Sequence, residues 1–297
     1  MRITALIVTY NRVRKLVKTV EATLALPFCH VVIVDNASTD STAEWLKTLN
    51  DQRVTVLTSE TNSGGAGGFK YGAEYIADSL STDWVAFYDD DAYPADDFFK
   101  ALALIDLTGW ACLSAKVIDL KGDICKMNIP WKKIPQSLGE NLRYRRCPEE
   151  FIPLRNQPEE VVTLSFVGAL IRSDVLKESH QFIRDDLFIY FDDVYYSREL
   201  KLRNRRIRYS PELTFYHDVN VVDNFNNVEW KAYYLTRNLI LSAYIFRGRG
   251  CFSLISMILR IIAYLAAFYK HKNKQLYLHS VLRGICDGIL NHRGRWH

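Results

Sequence analysis

Residues 84–91 constrain this chain more than any other stretch: the apolar run Trp84-Val85-Ala86-Phe87-Tyr88 leads straight into Asp89-Asp90-Asp91. A short apolar run rich in aromatic and β-branched residues reads as a buried strand. Three adjacent carboxylates at its end repel one another and cannot be buried unpaired. The strand end therefore either opens to solvent, capping a helix that begins near Pro94, or holds something positive. Carboxylate oxygens suit a hard divalent cation, Mg2+ or Mn2+. In open α/β sheets, ligands gather beyond the carboxyl ends of strands.

Upstream, apolar strand runs alternate with helical spacing. Ile3 to Thr9 is a buried strand, followed by Tyr10-Asn11-Arg12 and a helix through Val13, Leu16, Val17, Val20 and Leu24. A second strand, Val31 to Val34, ends at Asp35-Asn36, and Ser38 or Asp40 then caps a helix through Leu49. Val54 to Leu57 is the third strand. The turn Asn62-Ser63-Gly64-Gly65-Ala66-Gly67-Gly68 follows, with a helix expected from about Phe69 to Ser79. Strand–helix repetition implies a mostly parallel sheet with right-handed crossovers and helices on both faces, a Rossmann-like α/β fold. Tyr10-Asn11, Asp35-Asn36 and the Asp triplet should share one rim, along which a nucleotide would lie. The first strand–helix turn lacks G-x-G-x-x-G, which argues against a dinucleotide. The glycine run fits a close backbone approach to a ligand or a neighbouring strand, or a flexible turn.

Trp110 to Ile118 is a further apolar run. Residues 119–160 are polar and rich in Pro and Arg, a long loop or small subdomain. Val161 to Ile171 is strand-like, with Gly168 a bend or close-approach point. Phe188-Ile189-Tyr190-Phe191 then runs into Asp192-Asp193, a second apolar run ending in acids, and Ile207 to Tyr216 leads to His217. Taken alone, Asp192 and Asp193 suit the first turn of a helix, and His217 suits a satisfied core position.

The ordered set TYNR (9–12), VDNAST (34–39), NSGGAGGF (62–69), YDDD (88–91), FVGALIR (166–172), FDD (191–193), FYH (215–217) and YYLTRN (233–238) resembles the inverting, metal-dependent nucleotide-sugar glycosyltransferases of family 2, which have the GT-A fold. Within that family the likeness is greatest to bacterial galactofuranosyltransferases, with dTDP-rhamnose-dependent enzymes next. The resemblance implies metal carboxylates at Asp89 and Asp91, with His217 as third ligand to Mn2+ or Mg2+. It implies a catalytic base at Asp193, acceptor contacts at Asp192 and Gly168, and donor contacts at Tyr10, Asn11, Asp35, Asn62 and Asp90. The implied partners are a nucleotide-sugar donor, most of all UDP-galactofuranose, and a saccharide acceptor, lipid-linked, in cell-surface polysaccharide synthesis. Family members often carry Trp and Glu around the Asp pair. Here Phe191 precedes it and Val194-Tyr195-Tyr196 follow, so the acceptor is the open question. The reading of another class is a non-catalytic nucleotide-sugar-binding scaffold of a membrane assembly complex.

The division expected is a catalytic domain, 1–222, and a helical, basic region, 223–297. From Trp230 onward there are eleven Lys/Arg against one acid, Asp287, so the tail carries +10 of a net +4 and the rest −6. Helices are expected over 228–246, 251–269 and 276–290. In the second, Ser253, Ser256 and Arg260 form a narrow polar stripe. A central Arg speaks against a spanning helix and for one lying on an anionic membrane surface. A buried helical pair or a homo-oligomer interface would serve the same sequence. Nucleic acid is disfavoured, because no recognisable module carries stacking aromatics. Six scattered Cys with no C-x-x-C argue against disulfides and zinc. With an N-terminus unlike a signal peptide, they point to the cytoplasm, peripheral on the inner face of the plasma membrane.

Overall fold

The structure is a computed structural model, and it describes residues 1–219 and 229–296. In chain order the elements are β1 (Ile3–Thr9), α1 (Val13–Leu24), β2 (His30–Asp35), α2 (Thr42–Leu46), β3 (Val54–Thr58), α3 (Gly64–Ser79), β4 (Trp84–Asp89), β5 (Ala92–Pro94), α4 (Phe98–Ala103) and β6 (Cys112–Ile118). There follow α5 (Leu138–Arg146), β7 (Glu159–Val161), β8 (Ala169–Arg172), α6 (Ser173–Ser179), α7 (Asp192–Leu202), β9 (Ile207–His217), α8 (Lys231–Ile245), α9 (Leu254–Ala266) and α10 (Lys274–Ile289).

The described strands form one mixed sheet in the order β3-β2-β1-β4-β8-β6-β9-β5, with β7 also on β9. β3, β2, β1 and β4 run parallel, as the alternation requires, while β8 is antiparallel to both β4 and β6. Along β1, Ile3, Ala5 and Ile7 pack with Leu16 and Val20 of α1 and Phe98 of α4, while Leu6 and Val8 pack with Phe69, Ala73 and Ile76 of α3. Strand alternation thus gives each face its own helical cover, and both faces are dry. The register pairs Thr9 with Asp35 and Val8 with Asp89, so the three expected strand ends do share one rim.

Three expected bounds are corrected. α3 begins at Gly64, five residues early, so the glycine run is its first turn and not a loop. The reason is proximity: a Cβ on Gly68 would lie 2.4 Å from Val8 Cγ1, and only a bare backbone lets this turn seat on β1. The apolar stretch 161–171 is strand only at its ends, where β7 finishes at Val161 and β8 starts at Ala169; residues 162–168 between them are irregular and end in a turn at Gly168, φ +82°. The helix expected through Leu49 is only Thr42–Leu46; Asp40 accepts from the Thr42 amide at 3.0 Å, while Ser38 serves Asn11 instead.

The start expected at residue 228 and the boundary at 222/223 lie outside the described residues. One apolar cluster joins Ile134, Leu187 and Tyr195 to Leu239, Leu241, Phe246 and Phe252, so the helical region shares a core with the elements before it. α9 turns its polar stripe inward: Ser256 is fully buried and the Arg260 guanidinium lies 4.9 Å over the Phe252 ring. One apolar edge faces outward, with Leu254 at 68% exposure, Ile262 at 56% and Ile255 and Ile258 beside them, while Met257, Ile261 and Tyr264 pack on that cluster. Among the described residues, no helix is long and apolar enough to cross a membrane.

Candidate active site

Asp89 ends β4, and the next two residues turn the chain into β5, which pairs Ala92 with His217 at the end of β9. That pairing brings the Asp triplet and His217 together although β8 and β6 separate β4 from β9 in the sheet. One ligand atom each from Asp89, Asp91 and His217 lies within 4.8 Å of the others. His217 Nε2 stands 3.2 Å from Asp91 Oδ1, and its Nδ1 meets Asn128 Oδ1 at 3.1 Å. Asn128 is itself fixed by donating to Ser165 Oγ at 2.9 Å. A side-chain acceptor behind one ring nitrogen orients the other, which is how metal-bound imidazoles are held. Two carboxylates and an imidazole also form a donor set that Mn2+ accepts readily. The three residues therefore fit a divalent ion.

The negative charge is offset from below. Arg12 Nη1 reaches Asp91 Oδ2 at 2.8 Å and Asp90 Oδ1 at 3.4 Å, and Lys15 Nζ lies 3.4 Å from Asp91. Burial tends to raise the Asp91 pKa, but the His217 hydrogen bond and the charges of His217, Arg12 and Lys15 bring it down to about 2. Burial and the Asp91 charge push Asp89 up to about 6. His217 would be lowered by burial, yet its bond to Asp91 carries it to about 9.

Asp90 points elsewhere. Its Oδ2 accepts from Thr9 Oγ1 at 2.8 Å and from the Tyr10 amide at 3.4 Å, which ties β4 to β1. Asn11, at φ 55°, bridges two strand ends: its Oδ1 accepts from the Thr39 amide at 2.6 Å, and its own amide donates to Ser38 Oγ at 2.9 Å. Asp35 is buried and accepts from the Ser38 amide at 2.9 Å. Asn62 Oδ1 takes the Gly64 amide at 2.8 Å and the Asn36 side chain at 3.2 Å. Tyr10 is left exposed on the rim. Tyr10, Asn11, Asp35, Asn62 and Asp90 thus line the ends of β1, β2 and β4 and the turn before α3.

Asp192 and Asp193 open α7, so the helix-start reading and the site reading hold together. The approach to them is unusual: Phe188, Tyr190 and Phe191 all have positive φ, between 66° and 70°. The Phe188 carbonyl accepts from the Ala66 amide at 3.2 Å, and Gly64 sits against it so closely that a Cβ there would overlap the carbonyl. This seats the acid-bearing loop on the glycine turn of the donor side. Burial, the neighbouring acid and the charge of Asp89 raise Asp192 well above the usual carboxylate range. Burial and Asp89 likewise raise Asp193. The charge of Asp89 thus reaches a second acid cluster about a hundred residues away in sequence. Gly168 donates to Phe87 O and its carbonyl accepts from Ala115, both at 2.9 Å, so its backbone is used by the sheet behind the cleft.

Four participants escaped the sequence reading. Arg12 and Lys15 counter the triplet, Asn128 orients His217, and Lys231, at the start of α8, is depressed by burial and by Arg12 against the pull of Asp89 and Asp91. Arg12 was visible as a cation just past a strand end. Asn128, inside a polar loop, gave no signal.

Residues 4–179 match the family profile described as Glycosyl transferase family 2. Galactofuranosyltransferase GlfT1 of Mycolicibacterium smegmatis is 28% identical over 182 residues, which cover 58% of this chain and 56% of that protein; the chain therefore spans little more than half of that relative. Among solved structures, the 1–349 portion of S. aureus TarS superposes with a TM-score of 0.54 at 17% identity, covering 98% of this chain and 72% of that one. The mannosyltransferase PcManGT of Pyrobaculum calidifontis, solved with GDP-Man and Mn2+, gives 0.55 at 17% identity, covering 97% and 75%. GalNAc-T7, solved with UDP, GalNAc and Mn2+, gives 0.56 at 16% identity, covering 90% and 57%. At such identities these likenesses speak for the fold alone.

Proposed function

The chain belongs to glycosyl transferase family 2 and has the GT-A fold, and on that premise we propose that it is an inverting, metal-dependent hexosyltransferase. The observation that carries this reading is the Asp89–Asp91–His217 cluster, with ligand atoms within 4.8 Å of one another, facing a second acid pair whose proton affinity Asp89 raises. Asp89, Asp91 and His217 would hold Mn2+ or Mg2+. A bound divalent ion supplies charge stabilisation for a departing nucleoside diphosphate. Tyr10, Asn11, Asp35, Asn62 and Asp90 form the nucleotide rim. Asp193, ionised, accepts the proton of the acceptor hydroxyl as that oxygen attacks the anomeric carbon; Asp192 and Gly168 line the acceptor side. An elevated pKa makes Asp193 a better proton acceptor than an exposed carboxylate.

UDP-galactofuranose is the favoured donor, supported by the motif likeness and by the 28% relative. The acceptor is a saccharide, lipid-linked, used in cell-surface polysaccharide synthesis. The outward apolar face of α9 and the exposed Lys270, Lys272 and Lys274 just beyond it support peripheral attachment to an anionic membrane surface. The test is a donor panel with a lipid-linked acceptor mimic and added Mn2+. UDP release from UDP-galactofuranose that EDTA abolishes is expected. Turnover of dTDP-rhamnose alone would reassign the donor. Binding without turnover of any nucleotide sugar would leave only a scaffold.

A further inference from the structure

The acids of α7 are aimed by a loop that would not hold its own shape. Phe188, at φ 70° and ψ −63°, is the centre of a strained γ-turn closed by the Ile189 amide on Leu187 O at 2.9 Å. Tyr190 and Phe191 follow in the left-handed region, and Phe191 is the residue from which α7 starts. Such backbone persists only where surrounding groups over-determine it. Here the surrounding groups come largely from the C-terminal region. Asn238 Nδ2 donates to Leu187 O at 3.0 Å, Ile189 O at 2.7 Å and Tyr190 O at 3.0 Å. Arg237 Nη2 donates to Leu187 O at 2.9 Å and to Asp186 O at 3.4 Å, and Arg237 Nε fixes the Asn238 amide through its Oδ1 at 2.9 Å. Arg237 and Asn238 are fully buried.

The Phe188 carbonyl is taken by the Ala66 amide, so every carbonyl from 186 to 190 has a partner. The final segment adds to the grip: the Gly294 amide donates to Asp186 O at 2.7 Å, Arg293 Nη1 reaches Asp186 Oδ2 at 3.1 Å, and Arg237 Nη1 donates to Gly294 O. α7 could form without any of this. What the contacts decide is where its first turn, with Asp192 and Asp193, stands relative to Asp89.

We propose that Arg237 and Asn238 are positioning residues for the acceptor-side acids, so that α8 completes the active site from behind. The proposal rests on the transferase reading above. Neither side chain need touch substrate, because both act through the main chain of residues 186–190. Neither side chain bonds to the ends of β1, β2 and β4 that carry Tyr10, Asn11, Asp35 and Asp90; the loop they hold meets α3 at Gly64 and Ala66.

Asn238→Ala should therefore divide the two halves. UDP and Mn2+ affinity, measured by calorimetry, should stay at the wild-type value. Transfer should show a lower kcat and a higher acceptor KM, together about 100-fold in kcat/KM, the scale of a small misplacement of a reacting group. Hydrogen exchange in the intact protein should accelerate at amides 188–195 and stay unchanged in β1 and β4. Arg237→Lys keeps the charge and loses the fork, and should show the same division with a smaller loss. Unchanged exchange at 188–195 in both variants would overturn the proposal. So would donor affinity falling by the same factor as transfer, which marks general damage. A wild-type protein that turns over no nucleotide sugar would sink the transferase reading instead; the exchange experiment would still decide whether these two residues hold the loop.

Discussion

Replacing Asp193 by Asn should make the folded protein more stable at neutral pH while ending transfer. Burial and the Asp89 charge lift the Asp193 pKa from an ordinary 3.8 to about 6. A pKa raised in the folded state means that ionisation costs more there than in the unfolded chain. The stability tied to this group is complete below its unfolded pKa near 4, and it is lost as pH rises through about 6. A difference near two pH units corresponds to about 3 kcal/mol. Asp193 keeps partial contact with solvent, and screening cuts this to roughly 1.5 kcal/mol. Asn retains one oxygen to accept from the Val194 amide, now at 2.7 Å, while the bond from the Phe166 amide is weakened, which offsets part of the gain. The assay is urea or thermal unfolding of metal-free protein from pH 4 to 8. The two proteins should coincide at pH 4 and separate through pH 6, with the variant ahead by ~3–6 °C at pH 7.5. In parallel, wild-type kcat/KM should rise with pH as Asp193 gives up its proton, and the variant should bind UDP but not transfer. A constant gap across the pH range, or a variant less stable at pH 7.5, would refute the buried-charge account.

Asn128→Ala frees the His217 ring without touching a ligand, and should weaken Mn2+ binding about 10–100-fold in a titration read by fluorescence or calorimetry; His217→Ala should weaken it at least as much. Gly68→Ala drives a methyl against Val8 and should cost about 1–3 kcal/mol in urea unfolding, whereas Gly65→Ala, with open space around it, should be neutral or better. Ile258→Asp with Ile262→Asp should abolish binding to anionic vesicles in a flotation assay, and salt should release the wild-type protein; vesicle binding that survives both changes would remove α9 from the contact.

The parallel half of the fold was legible because it is local. Each of β1, β2 and β4 is an apolar run that ends in a named polar pair, and strand–helix alternation leaves few ways to wind it. The bounds that failed did so where tertiary contact overrides propensity. Gly64, Gly65, Gly67 and Gly68 are poor helix formers by themselves, yet they start α3 because β1 needs Gly68 bare and the Phe188 carbonyl needs Gly64 bare. Residues 162–168 are apolar enough for a strand, but Gly168 turns them. The site split the same way. Asp89, Asp91, Asp193 and His217 were named through the resemblance, whose motifs single out side chains, and the structure gathers Asp89, Asp91 and His217 within 4.8 Å of one another. Arg237 and Asn238 were quoted within YYLTRN and given no role, although an Arg–Asn pair inside an apolar helix must find polar partners. Those partners are main-chain oxygens, and a sequence does not display where its carbonyls point.

The two acid clusters differ in one respect that bears on how a single cleft can grip a cation and also remove a proton. Asp91 has Arg12, Lys15 and His217 within reach, and its pKa falls to about 2. Among the described residues no Lys or Arg forms an ion pair with Asp192 or Asp193, whose proton affinity rises. On the proposed reading, identical side chains are set to different duties by their neighbours, as where paired carboxylates are driven apart. Cations beside Asp91 keep it ionised and ready for a metal at any physiological pH. A cation beside Asp193 would have weakened it as a base. On this logic, moving positive charge toward the second cluster should be more harmful than removing it from the first. Val194→Lys, on the turn after Asp193, should lower the pH at which transfer begins and depress its maximum rate, because a less basic carboxylate is a poorer proton acceptor. A variant that kept the wild-type pH profile and full turnover would show that the absence of cations around Asp193 has no part in the chemistry.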